Sequence, residues 1–303
     1  MESTLIHLHI PRTAGGTVSR LIYVNEKNHS YSHNDELWIH HGIFYYPGPN
    51  GLLGFFKEEV PGLCKPAVEI VRKHKLTSVI GHFPFGIHEF LSTPFTYITL
   101  LRHPVDRIVS LYYTINPAMG LQEFMNRFTV DGRTLDQTRV VVDNDQTRRI
   151  SGMEPPFGKC HKEMLDVAKA NLEQHFSLVG VTELFDEFLV MLSRERLWTK
   201  VLRYWPLHAN SRRMPASSLD PSDVAAIEAR NALDMELYRF AKEHIEARIA
   251  EQDAQFDLEL ARLRERKQEW IERMREKNPE YAGRVVKTLE RVVSDSQTRR
   301  TSD

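Results

Sequence analysis

The sequence predicts an α/β protein of three layers: a central, mostly parallel sheet flanked by helices, followed by a long C-terminal helical extension. Three observations lead there. Short β-branched and aromatic runs alternate with helical patterns from Thr4 to Leu192. Two of the strands run straight into helices through short turns. From Pro221 onward the pattern is almost wholly helical. Strands that alternate with helices are joined by crossovers, and crossovers make parallel sheets covered on both faces. The division expected is a main domain over residues 1–248 and a helical extension with a tail over 249–303.

The elements follow in order. TLIHLHI, Thr4 to Ile10, is an apolar run with a proline just after it and is the first strand. AGGTVSRLIYV turns and opens a helix. Residues 25–61, rich in His, Tyr, Asn, Gly and Pro, read as a long loop and a candidate cleft wall. VEIVRKHK (Val68 to Lys75) has a helical pattern, TSVIGH (Thr77 to His82) is a second strand and FTYITLLR (Phe95 to Arg102) a third. HPVDRIVSLYY begins a helix with Pro104 in the first turn, where its missing N–H costs nothing. HKEMLDVAKANLEQH is a helix and SLVGV a fourth strand, with Thr182 expected to cap the next helix. Near the C-terminus, Ile249, Phe256, Leu263 and Trp270 recur every seven residues, with Leu260 and Met274 beside them. Gln252 and Lys267 interrupt the stripe, so one long packed helix is expected up to Pro279, and the stripe is also a candidate homodimer surface. The tail SDSQTRRTSD has the composition of a disordered end.

Composition narrows the class. The chain of 303 residues is 41% hydrophobic, enough for a sizeable core. Its 40 Lys and Arg balance 41 Asp and Glu, for a net charge of -1, which argues against a nucleic-acid partner. Cys64 and Cys160 sit in neither a metal-ligand spacing nor a disulfide framework, which fits a reducing compartment. No apolar run reaches the roughly 20 residues of a membrane span, and the N-terminus lacks the pattern of a signal peptide. A soluble, cytoplasmic enzyme is the expectation.

Two strand-to-helix junctions carry the chemistry. In the first, Pro11-Arg12-Thr13-Ala14-Gly15-Gly16-Thr17, a glycine turn opens a helix whose leading N–H groups are unpaired and attract anions. Arg12 adds a cation and Thr13 a hydroxyl, but the Gly-Lys-Ser/Thr of a Walker loop is absent. In the second, Arg102 ends a strand and Ser110 lies about two helical turns on, a pair suited to a phosphate. An ordinary βα turn and a surface ion pair would explain each alone. Together, at strand ends of one parallel sheet, they suit a ligand with two anionic groups.

The pair resembles the two signatures by which sulfotransferases hold 3'-phosphoadenosine 5'-phosphosulfate (PAPS), in the carbohydrate branch that includes heparan sulfate 2-O-sulfotransferase. Ala168 to Leu189, DNDQTRRISG (Asp143 to Gly152) and LDMELYRFA (Leu233 to Ala241) extend the similarity over about residues 4 to 248. The resemblance implies a P-loop-like three-layer fold and sulfuryl transfer from PAPS to a carbohydrate or small-molecule hydroxyl, with no metal. It implies that Arg12, Thr13, Ala14, Gly15, Gly16 and Thr17 hold the 5'-phosphosulfate, and Arg102 and Ser110 the 3'-phosphate. It also makes Arg212, in Asn210-Ser211-Arg212-Arg213, a phosphate contact from a closing loop, and sets Gln146, Arg148 and Arg149 on the acceptor side. Where the family usually has Lys, this chain has Arg12, a planar fork in place of a point charge.

Transfer to a hydroxyl benefits from a base, and histidine suits neutral pH. Among 14 histidines, His82 ends the second strand at the same sheet edge as both junctions. The resemblance carries the base role onto His82, with Arg12 as its catalytic partner at the leaving group. Relatives that carry a second His two residues earlier differ here, where Ile80 stands. His7 and His9 share one face of the first strand and read as core or cleft hydrogen-bonding groups, no third metal ligand being near. His33, His40 and His41 read as loop residues near an acceptor or in solvent. Two other classes compete: a P-loop-like small-molecule kinase, and a nucleotide-binding interaction protein without catalysis.

Overall fold

The computed structural model describes residues 3–25, 38–40, 43–46, 76–115, 118–127, 142–198, 218–280, 283 and 286. The expected helix Val68 to Lys75, Cys64, His33, His41, the Arg212 loop and the C-terminal tail lie outside the described residues.

The strands are β1 (Thr4–Leu8), β2 (Trp38–His40), β3 (Ile43–Tyr46), β4 (Ser78–Gly81), β5 (Phe95–Leu101) and β6 (Phe176–Val181). They form one sheet in the order β2-β3-β4-β1-β5-β6. All neighbours are parallel except β2 and β3, which pair antiparallel at one edge. Those two strands correct the reading of residues 25–61 as loop throughout; strands of three and four residues are too short to show a period. β1 and β4 are buried along their whole length, as central parallel strands must be when helices cover both faces.

The helices are α1 (Gly15–Asn25), α2 (Pro104–Ile115), α3 (Leu121–Arg127), α4 (Asp145–Ser151), α5 (Lys162–His175), α6 (Phe185–Glu195), α7 (Pro221–Arg230), α8 (Ala232–Ala250) and α9 (Ala254–Lys277). Pro104 is the first residue of α2, as expected. Thr182 does not cap α6: residues Thr182–Leu184 form a 3-10 turn and the Thr182 hydroxyl bonds Glu183 at 3.2 Å. Nor is the C-terminal stripe one helix. The chain breaks between α8 and α9, where the Asp253 side chain accepts from Phe256 N at 2.9 Å and starts α9 afresh.

The larger core joins β1, β4, β5 and β6 to the inward faces of α1, α5, α6 and α8, and Phe256, Leu260 and Leu263 of α9 belong to it, while a smaller one gathers residues of α2, α3 and α7. Much of the apolar stripe is therefore spent inside the chain, against α6. Arg264–Glu187 at 2.6 Å, Arg194–Asp253 at 2.7 Å and the Lys267–Asp186 pair fasten the same two helices. Residue 248, the expected domain boundary, falls within α8. Gly180 on β6 is required by packing: a Cβ there would lie 2.4 Å from the Phe188 ring and 2.8 Å from Leu100. Among the described residues no helix is long and apolar enough to cross a membrane.

α4 and α8 start against one another and exchange caps. Asn144, left-handed at φ 50°, accepts through Oδ1 from Leu233 N and Asp234 N at 3.0 and 3.1 Å. Asp234 in turn accepts from Gln146 N at 3.1 Å and from Thr147 N and Oγ1 at 2.7 and 2.8 Å. Each helix thus satisfies the other's first N–H groups, which burial would otherwise leave unpaired. Asn231 completes the junction, accepting from Asn144 N and donating to Val142 O and Ile227 O.

Candidate functional site

Adjacent strands β4, β1 and β5 end at one edge of the sheet, and the chain crosses β1 in passing from β4 to β5. Ligands of open parallel sheets bind at such a reversal. His82 follows β4, the Arg12 turn follows β1, and Arg102 follows β5.

The first turn is closed by its own residues. Thr13 Oγ1 donates to Ile10 O at 2.8 Å and Thr17 N to Ala14 O at 3.0 Å. Arg12 and Ala14 take φ of 73° and 63°, a left-handed conformation that non-glycine residues adopt only where the surroundings impose it. Positive φ at alternate residues is an ingredient of the concave amide nests that hold anions. Gly15 has φ outside that region, and its lack of a side chain serves packing: a Cβ there would sit 1.9 Å from His9 Cδ2. That glycine is thus required by packing against the His9 ring, while its N–H stays part of the turn.

The two junctions touch. Arg12 Nε donates to Ser110 Oγ at 3.1 Å, and Arg102 Nη1 donates to the Arg12 carbonyl at 3.1 Å. The Arg12 guanidinium therefore reaches across to the second junction and bonds its serine. Burial, and then the neighbouring Arg102 charge, pushes Arg12 down to about 10. Neither guanidinium has a carboxylate partner among the described residues.

His82 is buried and its Nδ1 lies 2.7 Å from the His9 carbonyl. A carbonyl only accepts, so Nδ1 carries the proton and Nε2 keeps the lone pair. That tautomer is the one a base needs. Burial first, and the Arg149 charge second, lower His82 to about 4, against the His9 hydrogen bond and Asp145, which raise it. The ring sits in a row: His82 and His9 centroids are 4.3 Å apart, and His9 and His7 stack at 5.3 Å. Burial lowers His7 to about 3 and holds His9 well below the ordinary imidazole range.

α4 supports the site from below. Gln146, Arg148 and Arg149 are fully buried and do not line an acceptor surface, which corrects that expectation. Gln146 Oε1 accepts from Arg102 N and its Nε2 donates to Arg102 O, both at 2.9 Å. Arg149 Nη1 donates to His82 O at 3.1 Å while its own carbonyl accepts from Phe85 N at 2.7 Å. Asp145 accepts from Arg149 Nε at 3.0 Å and from Arg107 Nη1 at 2.9 Å. Burial would raise the Asp145 carboxyl, but Arg149, Arg107 and Arg148 hold it below its usual range. Arg148 is tied to Asp143 at 2.6 Å and to Pro155 O at 2.6 Å. The motif DNDQTRRISG was legible in the sequence, but the direction of its side chains was not.

Fold and site together are those of a parallel-sheet domain whose functional groups converge at the carboxyl edge of its three central strands, the class in which phosphorylated ligands are held at strand ends. The family model of galactose-3-O-sulfotransferases matches residues 3–284, and the chain belongs to that family. The match continues past residue 248 through α9. The chain is 24% identical to galactose-3-O-sulfotransferase 2 of Mus musculus over 280 residues, covering 88% of this chain and 68% of the relative. It is 30% identical to a heparin sulfate O-sulfotransferase of Drosophila melanogaster over 162 residues, 48% of this chain and 46% of the relative. With heparan sulfate 2-O-sulfotransferase 1 of Xenopus laevis it shares 29% over 106 residues, 32% of this chain and 30% of the relative. The chain thus spans less than half the length of the heparin and heparan relatives.

Proposed function

We infer that the chain transfers a sulfuryl group from PAPS to a hydroxyl of a carbohydrate, with His82 as general base. One observation carries the reading: Arg12 bonds Ser110 and Arg102 bonds the Arg12 carbonyl, with no carboxylate to balance either guanidinium among the described residues. Cations withdrawn from water are costly until an anion joins them, and a phosphate matches the planar fork of arginine. Family membership supplies the group transferred, and the sugars in the names of the family and its relatives supply the acceptor class.

The donor supplies the sulfuryl group, whose bond to the acceptor oxygen forms as its bond to the 5'-phosphate oxygen breaks, releasing adenosine 3',5'-bisphosphate. His82 Nε2 accepts the proton of the attacking hydroxyl. Arg12 and the turn amides of Ala14 to Thr17 stabilise the charge left on the 5'-phosphate, a preorganised electrostatic role. Arg102 and Ser110 hold the 3'-phosphate and orient the donor.

Calorimetric titration with adenosine 3',5'-bisphosphate and with adenosine 5'-monophosphate tests this, alongside turnover of radiolabelled PAPS on a glycan panel. The wild type should bind the bisphosphate far more tightly, and Arg102→Ala should erase the preference. His82→Ala should leave bisphosphate binding within about threefold while turnover falls about 100- to 10,000-fold. Equal losses of both nucleotides in Arg102→Ala, or full turnover in His82→Ala, would refute the residue roles; no sulfated product from the wild type would refute the activity.

A further inference from the structure

We propose that His9 is a positioning residue of the reaction: its imidazole is the spacer that fixes the distance between the His82 ring and the anion turn at Gly15. The proposal rests on the transfer reaction inferred above. His9 is bonded or packed both to the His82 strand end and to the first turn. Its N–H donates to Gly81 O at 2.9 Å, and its carbonyl accepts from His82 Nδ1 at 2.7 Å. One part of its ring meets the His82 ring at 4.3 Å, tilted by 38°. Another lies against the first residue of α1, where a Gly15 Cβ would fall 1.9 Å from Cδ2 and 2.3 Å from Nε2. His7 backs it, stacked within 13°.

His9 is only 8% exposed, and its Nδ1 is buried without a partner among the described residues. An unmet acceptor is less costly than an unmet donor, so the proton belongs on Nε2, the nitrogen on the Gly15 side. The ring is neutral, because burial and the neighbouring His82, His7, Arg149 and Arg12 disfavour its charge. A neutral flat spacer is what the base needs. When His82 takes the acceptor's proton it becomes a cation beside Arg149, and a charged neighbour at 4.3 Å would oppose that step.

The groups that face His82 are His7 and His9 from the β1 side, and Arg149 and Asp145 from α4. With the spacer removed, water replaces the ring, and His82 should titrate closer to an exposed imidazole. A merely structural role would lower stability without moving that titration.

The experiment is an NMR titration of ring-labelled histidine in the full chain, paired with kcat against pH. In the wild type His82 should titrate near 4. In His9→Ala its midpoint should rise toward the ordinary value of about 6.5, and kcat should fall about 100-fold with the KM for PAPS changed less than threefold. His9→Phe, which keeps a neutral ring in place, should recover most of the kcat loss and keep the low midpoint. Gly15→Ala offers a second route should His9→Ala fold poorly: the new methyl expels the ring and should produce the same rise. An unmoved His82 midpoint in both His9→Ala and Gly15→Ala would overturn the spacer role. So would a kcat loss that His9→Phe shares in full. Because the NMR midpoint needs no turnover, absent sulfuryl transfer in the wild type would sink the activity and leave this test readable.

Discussion

Gln146 and Arg102 are joined by two hydrogen bonds that run in opposite directions, each 2.9 Å long, so that a side-chain amide pairs with the backbone of Arg102 as another strand would. The backbone groups of Arg102, the residue that follows β5, are thereby satisfied. Arg102 enters the site from a backbone that is fixed before any ligand arrives.

Gln146→Ala should lower stability by about 1–3 kcal/mol, because both backbone groups of Arg102 lose their buried partners. It should also weaken binding of adenosine 3',5'-bisphosphate, although Gln146 touches no proposed ligand. Denaturant unfolding and calorimetry would measure the two losses. A stability loss with unchanged binding would show that Arg102 is aimed by something other than Gln146.

The exchanged caps should behave as one unit. Asp234→Ala leaves Gln146 N and Thr147 N without acceptors, and Asn144→Ala does the same to Leu233 N and Asp234 N. Each change should cost about 1–2 kcal/mol as a lost cap. The double variant should cost less than the sum, since the two residues share one interface. Strict additivity in a double-mutant cycle would show that the helices are capped independently.

Stability should rise with pH through the histidine range. His7 and His82 titrate at about 3 and about 4 in the folded chain, and His9 also lies below the unfolded value of 6.5. Between about pH 6.5 and 4 the unfolded chain therefore binds more protons than the native one. Their contribution is complete above the unfolded value and is lost as pH falls through that window, at about 1.4 kcal/mol per pH unit for each proton. The depressed Asp145 carboxyl acts lower: its contribution is present above 3.8 and disappears only as pH drops through its folded value. Urea unfolding at pH 5, 6, 7 and 8 should show the slope, steepest at the acid end. A flat profile from pH 5 to 7 would mean that these rings protonate in place.

Gly180→Ala should destabilise by about 1–3 kcal/mol through overpacking. The added methyl meets Phe188 and Leu100, both deep in the core. Phe188→Leu in the same chain should return part of the loss, and thermal melting of the wild type and the two variants would show it. A neutral Gly180→Ala would place slack between β6 and α6.

Periodicity and turn chemistry alone determined the alternation of β1, β4, β5 and β6 with their helices, and with it the parallel sheet. They also determined that His82, the Arg12 turn and Arg102 leave the sheet at one edge, because parallel strands carry their ends to the same side. Local order in the chain encodes such features. Only the tertiary structure decided where the side chains point. Arg12 turns to Ser110, 98 residues away, Gly15 yields its space to His9, and Gln146 and Arg149 face inward to hold Arg102 and His82. The same holds for the edge pair β2 and β3, too short to show a period, and for the start of α9, where the Asp253 cap divides the apolar stripe between two helices. For Arg12, Gln146 and Arg149 the deciding partner lies far away in sequence, for Gly15, β2 and β3 it lies in packing and short pairing without a period, and for α9 in a single capping bond; a pattern read along one chain contains none of these.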